Sequence, residues 1–114
     1  MSSENPTHLP GFVVLYRWRL HPGTEDVFIQ GWSRLSDLLR SRGSLGSRLH
    51  RGSDGLWYSY AQWPSAQARE HAFSPGNVDE TANAQMHSAI AEQLPEIILD
   101  PIADYIVHPI NVGT

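Results

Sequence analysis

The stretch "LWYSYAQWPSAQAREH", residues 56–71, gathers Trp57, Tyr58, Tyr60 and Trp63 into one run and follows them with His71. A core needs only apolar volume. Rings that also carry N–H or O–H groups suit a pocket that must grip a flat ligand and hydrogen-bond to it. An imidazole nearby adds a group that exchanges protons close to neutral pH. Metal chemistry is not indicated: there is no HxH, no HxxxH, no clustered carboxylate and no cysteine. "GSLGS" lacks a Lys and is too short for a phosphate loop. No Ser-His-Asp arrangement follows from spacing alone.

The elements that must hold these side chains fit one domain, since 114 residues at 40% apolar content supply one core. The net charge of −4 argues against a nucleic-acid partner. No apolar run approaches the roughly 20 residues of a membrane span. "MSSENPTHLPG" is polar and turn-rich, without a basic or apolar leader, so residues 1–10 are expected as a disordered lead-in, 11–110 as the domain and 111–114 as a tail. A cytosolic location is the expectation. All eight basic residues are Arg and lie between Arg17 and Arg69, whereas the seven acids from Glu70 onward meet no Arg. That asymmetry allows a basic and an acidic side or self-association, and genome composition explains it as well.

"GFVVLYRWRL" (11–20) is β-branched and aromatic and closes at "HPG", which makes a strand and a turn. Phe12, Val14, Tyr16, Trp18 and Leu20 share one face and Val13, Leu15, Arg17 and Arg19 the other. Both faces begin apolar, so the strand is expected to be central. Thr24 before Glu25 and Asp26 is a helix start. Phe28, Trp32, Leu35 and Leu39 continue at helical spacing, and Gly43 stops a helix over about 24–42. "SLGSRLHR" (44–51) reads as an edge strand, "GSDG" (52–55) as a hairpin turn and "LWYSYAQW" (56–63) as the third strand. Ser65 caps a helix to about Phe73, which breaks at Ser74-Pro75-Gly76. Asn77 is expected to cap the next, whose stripe is Val78, Ala82, Met86, Ile90 and Leu94. "EIILDPIADYIVHPI" (96–110) reads as the last strand, bulged at Pro101.

The order β-α-β-β-α(α)-β is the split βαβ, ferredoxin-like α+β pattern: a four-stranded antiparallel sheet with helices on one face. The other face keeps large apolar residues. Exposing them costs roughly 25 cal/mol per Å², so a homodimer packed through the sheet faces is expected.

With "VVLYRWRLHPG", "GSLGSRLHR" and "WYSYAQWPSAQAREH" in these places, the chain resembles the antibiotic biosynthesis monooxygenase-like proteins over about residues 11–108. These belong to the dimeric α/β-barrel superfamily. The strongest local match is a strand ending in Trp63, then Pro64-Ser65, then a helix bearing His71. The resemblance implies a cofactor-independent monooxygenase that oxidises an aromatic, polyketide-type small molecule with dioxygen. It needs no flavin, haem or metal, because an electron-rich phenolate can itself pass an electron to oxygen. A non-catalytic binding protein of the same fold is the alternative. A haem-binding or haem-degrading relative is a third, with His71 or His87 as proximal ligand.

Trp63 is the candidate pocket wall or hydrogen-bond donor and His71 the candidate general acid/base; a core Trp and a surface His are the plainer readings. Tyr16, Trp18, Tyr58 and Tyr60 are candidate ligand-binding rings, expected to line one surface if their strands are neighbours, although a dimer-facing layer would look the same. His87, beside Met86, is the last candidate, and Trp32 is expected in the core.

Overall fold

The computed structural model describes residues 10–76 and 79–107. Its elements are β1 (Phe12–Leu20), α1 (Glu25–Ser41), β2 (Gly46–Arg51), β3 (Trp57–Trp63), α2 (Ala66–Phe73), α3 (Glu80–Ala89) and β4 (Ile90–Leu99). The strands form one antiparallel sheet in the order β2-β3-β1-β4. This is the ferredoxin-like α+β fold the sequence implies, with β1 in the interior and β2 at an edge.

Directly paired residues share a face of a sheet. β1 pairs Phe12 with Trp63, Val14 with Ala61, Tyr16 with Ser59 and Trp18 with Trp57. The helices close on this face. Phe28 of α1 and Ala89 of α3 pack with Trp18 and Trp57, and Ala72 of α2 packs with Val14 and Trp63. The opposite face sets Val13, Leu15 and Arg17 against Gln62, Tyr60 and Tyr58. Arg48 and His50 of β2 and Ile97 and Leu99 of β4 extend it. The expectation that four rings share one surface is therefore corrected: Tyr58 and Tyr60 stand on the open face, and Tyr16 and Trp18 lie beneath the helices.

Local chemistry sets the helix ends. Ser65 caps α2 by accepting from the Ala68 N–H at 3.0 Å. Thr24 occupies the α1 cap position, but its hydroxyl donates to the His21 and Ala89 carbonyls at 2.7 and 3.3 Å, tying the turn after β1 to the end of α3. Asn77 and Val78 lie outside the described residues; the α3 cap is Asp79, which accepts from the Ala82 N–H at 3.0 Å and pairs with Arg34 of α1 at 2.8 Å. The Ala82 N–H, and then Arg34, hold the Asp79 carboxyl below its usual range. Where α1 crosses α3, Gly31 leaves no room: a Cβ there would meet the Ala82 carbonyl oxygen at 2.8 Å and the Met86 nitrogen at 2.9 Å.

The last helix and strand meet earlier than the sequence suggests. α3 ends at Ala89 and β4 starts at Ile90, whereas the expected helix ran on to Leu94. β4 has two irregularities, one near Pro95, between the Arg17–Leu94 and Leu15–Ile97 pairs, and one between the Arg19–Glu92 and Leu20–Ile90 pairs; neither is at Pro101. β4 is an edge strand, which tolerates a proline. The strand ends at Leu99, and residues 100–107 have no regular structure.

Candidate functional site

A cavity of about 350 Å³ lies between the helices and the sheet. Its place follows from β3, whose inward residues run Trp57, Ser59, Ala61, Trp63: large, small, small, large. Trp57 belongs to one core cluster and Trp63 to another. Ser59 and Ala61 are too small to fill the space between the two, and the cavity opens there. From α1, Trp32, Leu35 and Leu39 face it; from α3, Asn83, Met86 and His87 do. Tyr16 and Trp18 line it side by side on β1, stacked with centroids 5.8 Å apart and planes within 8°.

Three polar groups at this cavity, on Trp63, Ser59 and Tyr16, hold protons with no acceptor among the described residues. Trp63 is 1% exposed, lines the cavity, and its buried Nε1–H has no partner among the described residues. Trp32 donates its Nε1–H to Ser59 Oγ at 3.0 Å. Ser59 is itself buried, and its own hydroxyl proton finds no acceptor among the described residues. Tyr16 accepts from Arg69 Nη2 at 2.9 Å, so its phenolic proton is likewise free to donate. Burial pushes the Tyr16 phenol up, against the opposing pull of Arg69, and it stays protonated at neutral pH. Buried polar groups in folded proteins are nearly always paired. A ligand offering oxygen acceptors would complete this set.

Arg69 stands behind the same wall. Its guanidinium carbon lies 5.8 Å from the ring centroids of both Tyr16 and Phe73, two cavity-lining rings. Its Nη2 also pairs with Glu96 at 3.1 Å, and its Nε is buried without a partner among the described residues.

Of the candidate site residues, the cavity brings together Trp63, Tyr16, Trp18 and His87. His71 is exposed on α2 and does not line it. Ala72 turns inward on that short helix, and the neighbouring position is carried outward. Tyr58 is bound instead to Asp54 of the hairpin turn, and Tyr60 pairs across from Leu15 on the open face. Trp32, expected in the core, also faces the cavity. Two residues of the site were not among its candidates, Ser59 and Arg69. The first was signalled by the small pair on the Trp-bearing face of β3. Arg69 was signalled by its spacing of three and four from Ala72 and Phe73, which puts it on the inward side of the helix. Among the described residues, no group of three or more His, Cys, Asp or Glu could hold a metal ion. No helix among them is long and apolar enough to cross a membrane.

No protein-family model and no curated protein matches this sequence. Solved structures do match its fold. SnoaB, a cofactor-independent oxygenase from Streptomyces nogalater, is 12% identical, with a TM-score of 0.68 over 82% of this chain and 95% of its own. A protein of Chloroflexus aurantiacus, provisionally assigned as an antibiotic biosynthesis monooxygenase, is 15% identical, with a TM-score of 0.68 over 85% of this chain and 98% of its own. One of Caulobacter crescentus with the same provisional assignment is 19% identical, with a TM-score of 0.67 over 83% and 93%. The chain thus has the fold of the antibiotic biosynthesis monooxygenase-like proteins.

Proposed function

We propose that the chain is a cofactor-independent oxygenase that holds a planar, polyketide-type phenol in this cavity and lets it react with dioxygen, working as a cytosolic homodimer. The observation that carries this reading is the buried Trp63 N–H, which has no partner among the described residues, in a ring-walled cavity. A fold shared with a cofactor-independent oxygenase supports it.

An ionised phenol is electron-rich enough to give an electron to dioxygen directly. Recombination then forms a C–O bond at a ring carbon. Loss of water, carrying off the ring hydrogen, the phenolic hydrogen and the second oxygen atom, leaves a quinone. The protein's share is to hold the ring flat against Tyr16 and Trp18, to set N–H and O–H donors on the developing anionic oxygen, and to keep bulk water off the intermediate. His87 is also exposed, but it is the one described histidine lining the cavity, which makes it the candidate to take up the phenolic proton. His71, turned to solvent, is given no such role, nor that of a haem ligand.

A homodimer is supported by the open sheet face, where Ile97 and Leu99 remain partly exposed. Beyond it, Ile102 and Tyr105 are 83% and 96% exposed. A second copy covering them would recover roughly 25 cal/mol per Å² of apolar surface.

One observation favours binding without chemistry: among the described residues no buried base lines the cavity. Oxygen uptake separates the two readings. Protein freed of metal and flavin is given a panel of polycyclic phenols in an oxygen electrode. Uptake above the protein-free rate, reduced about a hundred-fold in Trp63→Phe as for loss of an oxyanion donor, is the expected result. Phenols that bind but consume no oxygen would leave a binding protein.

A further inference from the structure

We infer that Arg69 is a positioning residue that makes this cavity select the anionic form of a ring ligand; this rests on the cavity being the ligand site. Three observations converge on it. Arg69 donates to the Tyr16 oxygen at 2.9 Å, occupying a lone pair of that oxygen and leaving the phenolic proton to point at a ligand. Its charge sits 5.8 Å from two rings that line the cavity, so their shared wall carries a positive potential. Its Nε is buried and has no partner among the described residues, so the guanidinium is not fully satisfied by its own fold.

Glu96 is the counterweight. It meets Arg69 from β4 at 3.1 Å, but its side chain is 40% exposed, and water screens it more than the wall screens Arg69. A half-buried phenol that both accepts from an arginine and donates to a ligand oxygen is a polarised relay. A charged acceptor gains more from such a donor than a neutral one. A neutral ring of the same shape fills the same space without that gain. The preference therefore lies in the ratio of affinities for charged and uncharged ligands, and packing alone does not set that ratio.

The experiment is calorimetric titration with two probes of nearly equal shape: 4-nitro-1-naphthol, taken as its naphtholate, and its methyl ether. Wild-type protein is expected to favour the naphtholate by on the order of ten-fold or more, the scale of one charge-assisted hydrogen bond. Arg69→Gln should remove most of that ratio and leave the ether's affinity within about two-fold, and Tyr16→Phe should remove most of the ratio as well. Arg69→Lys, which keeps the charge, should retain part of it. Glu96→Gln should raise it, a sign that a merely structural role for Arg69 does not produce. A ratio unchanged in Arg69→Gln, or a loss of both affinities in equal measure, overturns the inference and leaves the cavity as the ligand site. If neither probe binds wild-type protein, both fall together.

Discussion

Ala61 controls the cavity more directly than any ring around it. It faces the empty space between the two core clusters, so extra carbons at this position enter a void and need not displace a neighbour. Ala61→Leu is expected to leave stability unchanged or raise it by up to about 2 kcal/mol, at ~0.8 kcal/mol per buried CH₂. It should weaken binding of the naphthol methyl ether by at least about ten-fold, since the ligand and the new side chain compete for one volume. Thermal melts and titrations on the same samples check both halves; a variant that binds as before would place the ligand elsewhere. At this scale part of the site was legible in the sequence. The alternation of "WYSYAQW" separates Trp57, Ser59, Ala61 and Trp63 from the tyrosines without any structure, and the small pair between two tryptophans marks a gap. What the alternation cannot say is which face of β3 meets which face of β1. That depends on register, and a one-residue difference exchanges Tyr58 and Tyr60 for Ser59 and Ala61. Arg69 was harder still, because its partner Tyr16 is 53 positions away.

Helix crossing fixes the height of the cavity roof. α1 supplies Trp32, Leu35 and Leu39 to it and α3 supplies Met86, and the two helices come together over Gly31. Gly31→Ala gains about 1 kcal/mol of helix propensity, but its methyl group would overlap the α3 backbone, a clash that costs typically 1–3 kcal/mol. The backbone of a helix cannot yield as a side chain can, so the clash wins. A net loss of up to about 2 kcal/mol, seen as a melting temperature lower by up to roughly 10 °C, is the expected outcome. A variant more stable than wild type would mean that the helices can part at no cost. Element type was legible wherever one period stood alone, as in the apolar stripe of α1. It failed at Ile90 and Leu94. Residues four apart lie on one face of a helix and also on one face of a strand, so that pair fits both periods. Pro95, just after Leu94, would suit a helix end, but it sits beside an irregularity on an edge strand.

The open sheet face is the surface on which the proposed dimer would form. It mixes apolar side chains with Arg17 and Arg48, while the segment after β4 joins the exposed Ile102 and Tyr105 to Asp100 and Asp104. Apolar groups and charges of opposite sign on the two surfaces suit a second copy as the partner. Sedimentation equilibrium is expected to show a dimer, and Ile102→Asp combined with Tyr105→Asp should weaken it by at least about ten-fold, the effect of roughly 1.4 kcal/mol. A wild-type monomer at every accessible concentration would remove the dimer from the proposal. The sequence could show that β1 is apolar on both faces, but not what the second face meets: Val13 is buried within the chain itself, while Ile97 and Leu99 stay exposed.

The cavity also has an optical consequence. Three of the four tryptophans, Trp18, Trp32 and Trp63, line it, and the fourth, Trp57, packs under Arg51. An indole held away from water, with its N–H unbonded, emits at short wavelength, and a hydrogen bond from that N–H moves the emission to the red. The protein therefore carries its own lamp inside the compartment it keeps, and the colour of that lamp depends on whether the compartment is filled.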